Sequence, residues 1–105
     1  MNKEGYILYN TKVDFKIIPK DTIEYTALYA IELICNYNLI TLNCWNNQLT
    51  KLILNDNLQY LHCSNNQLTS LTLNDKLHYL ECDYNHLTEL ILNDKLVYLV
   101  CDNNQ

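Results

Sequence analysis

Residues 58–76 run LQYLHCSNNQLTSLTLNDK, and residues 77–95 restate them as LHYLECDYNHLTELILNDK. The preceding stretch, 39–57, runs LITLNCWNNQLTKLILNDN, and a further copy, LVYLVCDNNQ, starts at Leu96 and covers the first half of a unit. A fixed period of 19 residues, opened by Leu39, Leu58, Leu77 and Leu96, is the mark of a chain that stacks one small unit on itself. Inside a unit, apolar residues at positions one, four and six (Leu58, Leu61, Cys63) alternate with variable ones (Gln59, Tyr60, His62). That alternation is the pattern of a half-buried strand. Ser64, Asn65, Asn66 and Gln67 then separate the first apolar trio from a second, Leu68, Leu71 and Leu73. A unit of this length leaves no room for a long helix on the return path, so a short second strand or an extended segment is expected there.

The pattern L-x-x-L-x-C-x-x-N-x-L, from Leu58 to Leu68, resembles the leucine-rich repeat family, and the resemblance extends over residues 39–105. The sixth-position cysteine is similar to the variant in bacterial surface proteins of the internalin type, internalin J among them. The asparagine-rich, arginine-free wording also resembles repeat proteins of giant viruses. Two features depart from the family: the unit is slightly short, and no recognisable C-terminal cap follows. The resemblance implies a mostly β, right-handed leucine-rich repeat solenoid with short parallel strands, and it strengthens a protein-binding role.

Working outward, Leu33, Cys35 and Asn36 align with Leu52, Leu54 and Asn55, so the second half of a degenerate unit precedes Leu39. At the same spacing Ile23 and Tyr25 fall where Leu42 and Cys44 sit, and Leu28 takes the place of the unit's asparagine. Earlier still, Tyr6 to Tyr9 and Val13 to Ile18 are β-prone runs around a polar Asn10, Thr11 and Lys12 turn, which suggests a hairpin covering the first coil's open core. One domain over 1–105 is expected: an irregular N-terminal β cap (1–19), a degenerate repeat (20–38), full repeats (39–57, 58–76, 77–95) and a partial repeat (96–105).

Composition narrows the function. Leucine appears twenty times, and glycine and proline once each, as Gly5 and Pro19, which is no disordered composition. The net charge of −5 comes with seven lysines and no arginine, so no nucleic-acid partner is expected. Lys3, Glu4, Asn10, Lys12, Asp14 and Lys16 break up any leader-like apolar run, and no stretch has the length of a membrane span. Five cysteines without such a leader suit a reducing, cytoplasmic or similar intracellular location.

In a stack with strands about 4.8 Å apart, equivalent residues form columns. Cys44, Cys63, Cys82 and Cys101 form one; parallel Cβ vectors disfavour disulfides, and four collinear sulfurs cannot surround zinc, so reduced packing is expected and no metal or cofactor. Asn47, Asn66, Asn85 and Asn104 form a buried amide ladder able to satisfy the backbone after the strand. Asn55-Asp56, Asn74-Asp75 and Asn93-Asp94 look like side-chain-capped turns rather than calcium loops.

On the strand side, position three carries Thr41, Tyr60, Tyr79 and Tyr98, position five Asn43, His62, Glu81 and Val100, and position seven Trp45, Ser64, Asp83 and Asp102. The tyrosine row is a recognition surface, a stiffening ladder, or both. Trp45 beside Tyr60 is the largest aromatic pair expected, and Glu81, Asp83 and Asp102 make the far end acidic, which suits a partner with an apolar or basic patch. His62, His78 and His86 fall in three columns, so no catalytic residues are assigned. The expected function is a non-enzymatic protein–protein interaction module binding through Tyr60, Tyr79, Tyr98, Trp45, His62, Glu81, Asp83 and Asp102 to a protein of unidentified kind. The alternative is a structural or self-assembling segment, such as a homodimer, that uses Leu96, Leu99 and Cys101 as an uncapped C-terminal edge.

Overall fold

The computed structural model describes residues 5–9 and 15–104. Nine short strands run through them: β1 (Gly5–Tyr9), β2 (Phe15–Ile18), β3 (Glu24–Thr26), β4 (Ala30–Ile34), β5 (Thr41–Asn43), β6 (Lys51–Ile53), β7 (Tyr60–His62), β8 (Tyr79–Glu81) and β9 (Tyr98–Val100). Alternation sets the geometry of the repeat strands. β5, β7 and β8 each send one leucine inward (Leu42, Leu61, Leu80) and leave its two neighbours at the surface.

These strands stack in parallel in the order β3-β5-β7-β8-β9, with Thr41, Tyr60, Tyr79 and Tyr98 in register. Stacked parallel strands thus build a β-solenoid of roughly four turns. Inside it Leu39, Leu58 and Leu77 line up behind Leu42, Leu61 and Leu80, and Leu49, Leu68 and Leu87 close the core from the return side. Burying a leucine side chain contributes roughly 1.5–3 kcal/mol, so each added turn brings several such increments.

On the return path both expected forms occur. β4 pairs in parallel with β6, with Leu33 opposite Leu52, whereas the equivalent residues 70–73 and 89–92 run without strand pairing. A groove of about 470 Å³ opens between 50–56 and 70–74.

At the N-terminal end β1 and β2 form the expected antiparallel pair, with Gly5 opposite Ile18. β1 also pairs antiparallel with β4, Ile7 opposite Leu33, so the return-side sheet reads β2-β1-β4-β6. Ile7 and Ile18 are fully buried and close that end of the core. A side chain at Gly5 would collide with the Ile34 carbonyl oxygen, which explains the one glycine of the chain. The expected turn residues Asn10, Thr11 and Lys12, with Val13, lie outside the described residues.

The first turn departs from constant spacing. Tyr25 pairs with Leu42 and Thr26 with Asn43, 17 positions on, whereas Leu33 pairs with Leu52, 19 positions on. The places assigned to Ile23, Tyr25 and Leu28 from the 19-residue period are therefore corrected. Tyr25 stands at the Leu42 position, buried Ala27 at the cysteine position, and Leu28 one rung from Trp45. The turn lacks the equivalents of Asn47 and Gln48. Accordingly the Ala30 N–H donates to Asn47 Oδ1 as the Leu49 N–H donates to Asn66 Oδ1.

Asparagine joins the turns at two corners. At the first, Asn47, Asn66, Asn85 and Asn104 each donate from Nδ2 to their own turn's carbonyl (Cys44, Cys63, Cys82, Cys101) at 2.9–3.0 Å. Each also donates to the preceding turn's equivalent carbonyl (Ala27, Cys44, Cys63, Cys82) at 3.0–3.1 Å. Oδ1 of each accepts from a preceding-turn N–H (Ala30, Leu49, Leu68, Leu87) at 2.8–3.1 Å. At the second corner Asn55, Asn74 and Asn93 donate to the carbonyls of Leu39, Leu58 and Leu77 at 2.6–3.2 Å. Asn74 and Asn93 also cap their turns by accepting from Lys76 and Lys95 N–H.

The residue before each first-corner asparagine has positive φ: Asn46, Asn65 and Asn103 at 56–57°, and Tyr84 at 55°. Asparagine tolerates this region; tyrosine does so at a cost of about 1 kcal/mol. Tyr84→Asn is therefore expected to raise unfolding stability by about that amount in urea titrations. Asn66→Ala should lower it by roughly 2–4 kcal/mol, since several buried backbone groups lose their partner at once. Asn66→Asp, which keeps the acceptor but removes both donors, should be no better tolerated in the same titrations.

Candidate binding face

Parallel pairing puts equivalent residues of β5, β7, β8 and β9 one above another, so the surface side chains of each strand reach those of the next turn. Three rows result. In the first, the Tyr60 and Tyr79 rings lie 5.4 Å apart at 34°, and those of Tyr79 and Tyr98 4.5 Å apart at 3°. Tyr60 and Tyr98 are about half exposed, and Tyr79 between them less so. Stacking holds the three rings as one rigid stripe, worth roughly 0.2–1 kcal/mol per cross-strand pair.

The second row joins residues that the columns placed together but did not pair. His62 Nε2 lies 3.2 Å from Glu81 Oε2, and Tyr79 O–H donates to the other oxygen of the same carboxylate. Partial exposure of both His62 and Glu81 keeps such a link within about 0.2–1 kcal/mol. The bond to Glu81 pushes the Tyr79 phenol up to about 12, with its burial and the nearby negative charge acting in the same direction. Tyr79 therefore stays a neutral donor at ordinary pH. The register alone places Glu81 one rung from His62, which is the signal that would have found this pair.

In the third row Trp45 stacks on His62, centroids 5.6 Å apart and planes at 8°, so its ring partner is His62 and the expected Trp45–Tyr60 pairing is replaced. Ser64, expected at the surface, is buried and donates from Oγ to Asp83 Oδ1. Asp102 is exposed on the last rung. The face thus brings Trp45, His62, Glu81 and Tyr79 into one connected set, extended by the rings of Tyr60 and Tyr98, with Ser64 and Asp83 as a separate pair beside it.

Leu96 and Leu99 are half-buried and Cys101 exposed, and β9 stands last in its sheet among the described residues. The inward cysteines behind the face are free thiols. Burial pushes Cys82 up to about 12 and Cys44 and Cys63 well above the ordinary thiol range, because a thiolate there loses its hydration. Cys35, in the other apolar trio, is raised to about 12 by burial as well, offset in part by an Asn55 backbone hydrogen bond. Among the described residues no group of three or more His, Cys, Asp or Glu side chains is placed to hold a metal ion, and no helix is long and apolar enough to cross a membrane.

Comparison with protein-family models, with curated proteins and with solved structures found no match for the chain.

A thiol reagent at pH 8 should modify Cys101 rapidly and spare Cys35, Cys44, Cys63 and Cys82 until denaturant is added. A folded-state pKa above the unfolded one favours the neutral thiol, so this protection should hold below about pH 9 and weaken as pH climbs toward 12. Mass spectrometry of labelled peptides reads it directly.

Proposed function

We propose that the chain is a leucine-rich repeat solenoid of right-handed form whose cysteine and asparagine ladders serve only to hold it rigid. Its function is to bind another protein through the strand-side face, without catalysis. The observation that carries this reading is the pre-stacked row of Tyr60, Tyr79 and Tyr98, continued by the Trp45–His62 stack. Partly exposed aromatic rings that are already fixed lose little rotamer freedom when a partner covers them, so most of the apolar contact they make is retained as affinity.

A rigid scaffold with side chains displayed in columns also suits recognition better than turnover. The strand face offers the partner a broad area open to solvent, where binding energy comes from many contacts spread over several turns. Its polar groups are engaged with one another: Glu81 holds His62 and Tyr79, and Asp83 accepts from Ser64. Such cross-links fix side-chain positions before a partner arrives, which is the preorganisation that binding rewards.

A random dodecapeptide library selected on the immobilised chain tests the reading. Peptides should be enriched that lose binding at least about tenfold when Tyr60, Tyr79 and Tyr98 are replaced by serine. Circular dichroism and urea midpoint should show the variant still folded, because the three side chains point away from the core. Enrichment of peptides that bind the variant undiminished would overturn the strand face as the binding surface.

A further inference from the structure

The strand-side face changes chemistry along the stack. Its first two turns expose apolar groups at position seven, Leu28 at 64% and Trp45 at 45%, with one carboxylate, Glu24, four residues back on the first strand. Its last two turns present carboxylates, Glu81 and Asp83 on one rung and Asp102 on the next. Over the strand-side stretches 22–28, 39–45, 58–64, 77–83 and 96–102 the chain carries Glu24, Glu81, Asp83 and Asp102 and not one lysine. Lys51, Lys76 and Lys95 stand instead on the return path and its turns.

Glu81 accepts from the phenol of Tyr79 and lies beside His62 Nε2, and Asp83 accepts from the hydroxyl of Ser64; both hydroxyls are neutral donors that orient a carboxylate without cancelling it. Parallel strands hold Asp83 and Asp102 one rung apart, about 5 Å, so two like charges sit side by side on the same face. A cation placed over them relieves that repulsion, and the chain's net charge of −5 steers cations toward it.

Resting on the protein-binding reading above, the geometry points to a partner of one chemical kind: an extended, amphipathic, basic peptide segment lying across the strands. Its apolar or aromatic residue packs on Leu28 and Trp45, and its arginine or lysine side chains reach Glu81, Asp83 and Asp102. Three rungs of about 4.8 Å separate Trp45 from Asp102, and an extended chain rising about 3.3 Å per residue covers that distance in four to five residues. Beside that line, four residues back on each strand, the stacked rings of Tyr60, Tyr79 and Tyr98 present their edges, suited to the aliphatic stems of arginine and lysine. An acidic segment finds no lysine on this face, and a wholly apolar one leaves the carboxylates desolvated without partners.

Trp45 is the one tryptophan of the chain and lies on the face, so its emission reports occupancy. The test titrates the folded protein with three synthetic seven-residue peptides: one with a leucine-phenylalanine pair at one end and two arginines at the other, the same with two glutamates for the arginines, and one with the arginines moved beside the apolar pair. The first should shift Trp45 emission and bind at least about tenfold more tightly than the other two. Its affinity should fall by about the same factor in Glu81→Gln/Asp83→Asn/Asp102→Asn. In Asp56→Asn/Asp75→Asn/Asp94→Asn, which removes three charges from the turns instead, it should change less than about twofold.

Equal binding of the glutamate or rearranged peptide, equal loss in the turn variant, or no binding by the first peptide would each overturn the inference. Library peptides that depend on the tyrosine row yet lack the apolar-to-basic order would overturn it too and leave the binding reading standing. A library with no binder dependent on that row removes both.

Discussion

A side-chain amide that reaches two turns at once is the constraint on which the rest of this solenoid depends. Asn66 illustrates it: Nδ2 holds the carbonyls of Cys63 and Cys44, and Oδ1 takes the N–H of Leu49. Every turn must swing its backbone through a tight corner after the strand, and at Asn66 and Asn85 the N–H and C=O groups of that corner are buried away from water. An unpaired buried group costs about 1–3 kcal/mol. One asparagine per turn removes several of those penalties and ties each turn to its predecessor, even where, as in the first turn, the preceding unit is two residues shorter.

The first turn shows what happens when that residue is missing. No asparagine stands between Tyr29 and Ala30, the turn is two residues shorter, and the corner is instead served from the next turn by Asn47. Ala27 and Ala30, both buried and small, occupy the places that Cys44 and Leu49 hold one turn later. The β1–β2 hairpin then continues the return-side sheet antiparallel to β4, and it ends the stack with Ile7 and Ile18 against the core. A solenoid end needs such a cover, since each turn buries its leucines against neighbours on both sides.

Constant spacing has a second effect at the surface. Because the register of β5, β7, β8 and β9 has no slip, any residue type that recurs at one position becomes a continuous row of contacts. Tyrosine recurs at position three and becomes a stack of rings. Different residues at position five, His62 and Glu81, become a close imidazole–carboxylate contact instead. The interior is the same from turn to turn while the exterior differs, so rigidity and surface chemistry are set by separate residues, and the face can carry an apolar end and an acidic end without any change to the frame.

The repeat by itself determined the stacking, the inward leucines and cysteines, the asparagine corner and the outward tyrosines, because each follows from a period of 19 and the two-residue alternation of a strand. The terminal hairpin was also legible, from two β-prone runs around a polar turn. Only the tertiary structure decided the true register of the first turn, because a deletion inside a unit leaves no trace in a constant-period alignment once the flanking residues have diverged. It also decided which neighbours within a column touch. Trp45 lies flat on His62 and Ser64 turns inward to Asp83, outcomes set by rotamers and ring planes that no spacing rule contains. On the return path the leucine positions are the same in every turn, yet β4 pairs with β6 and the later segments do not pair. Backbone pairing there depends on the local separation of adjacent turns, a distance that exists only once the whole stack has formed.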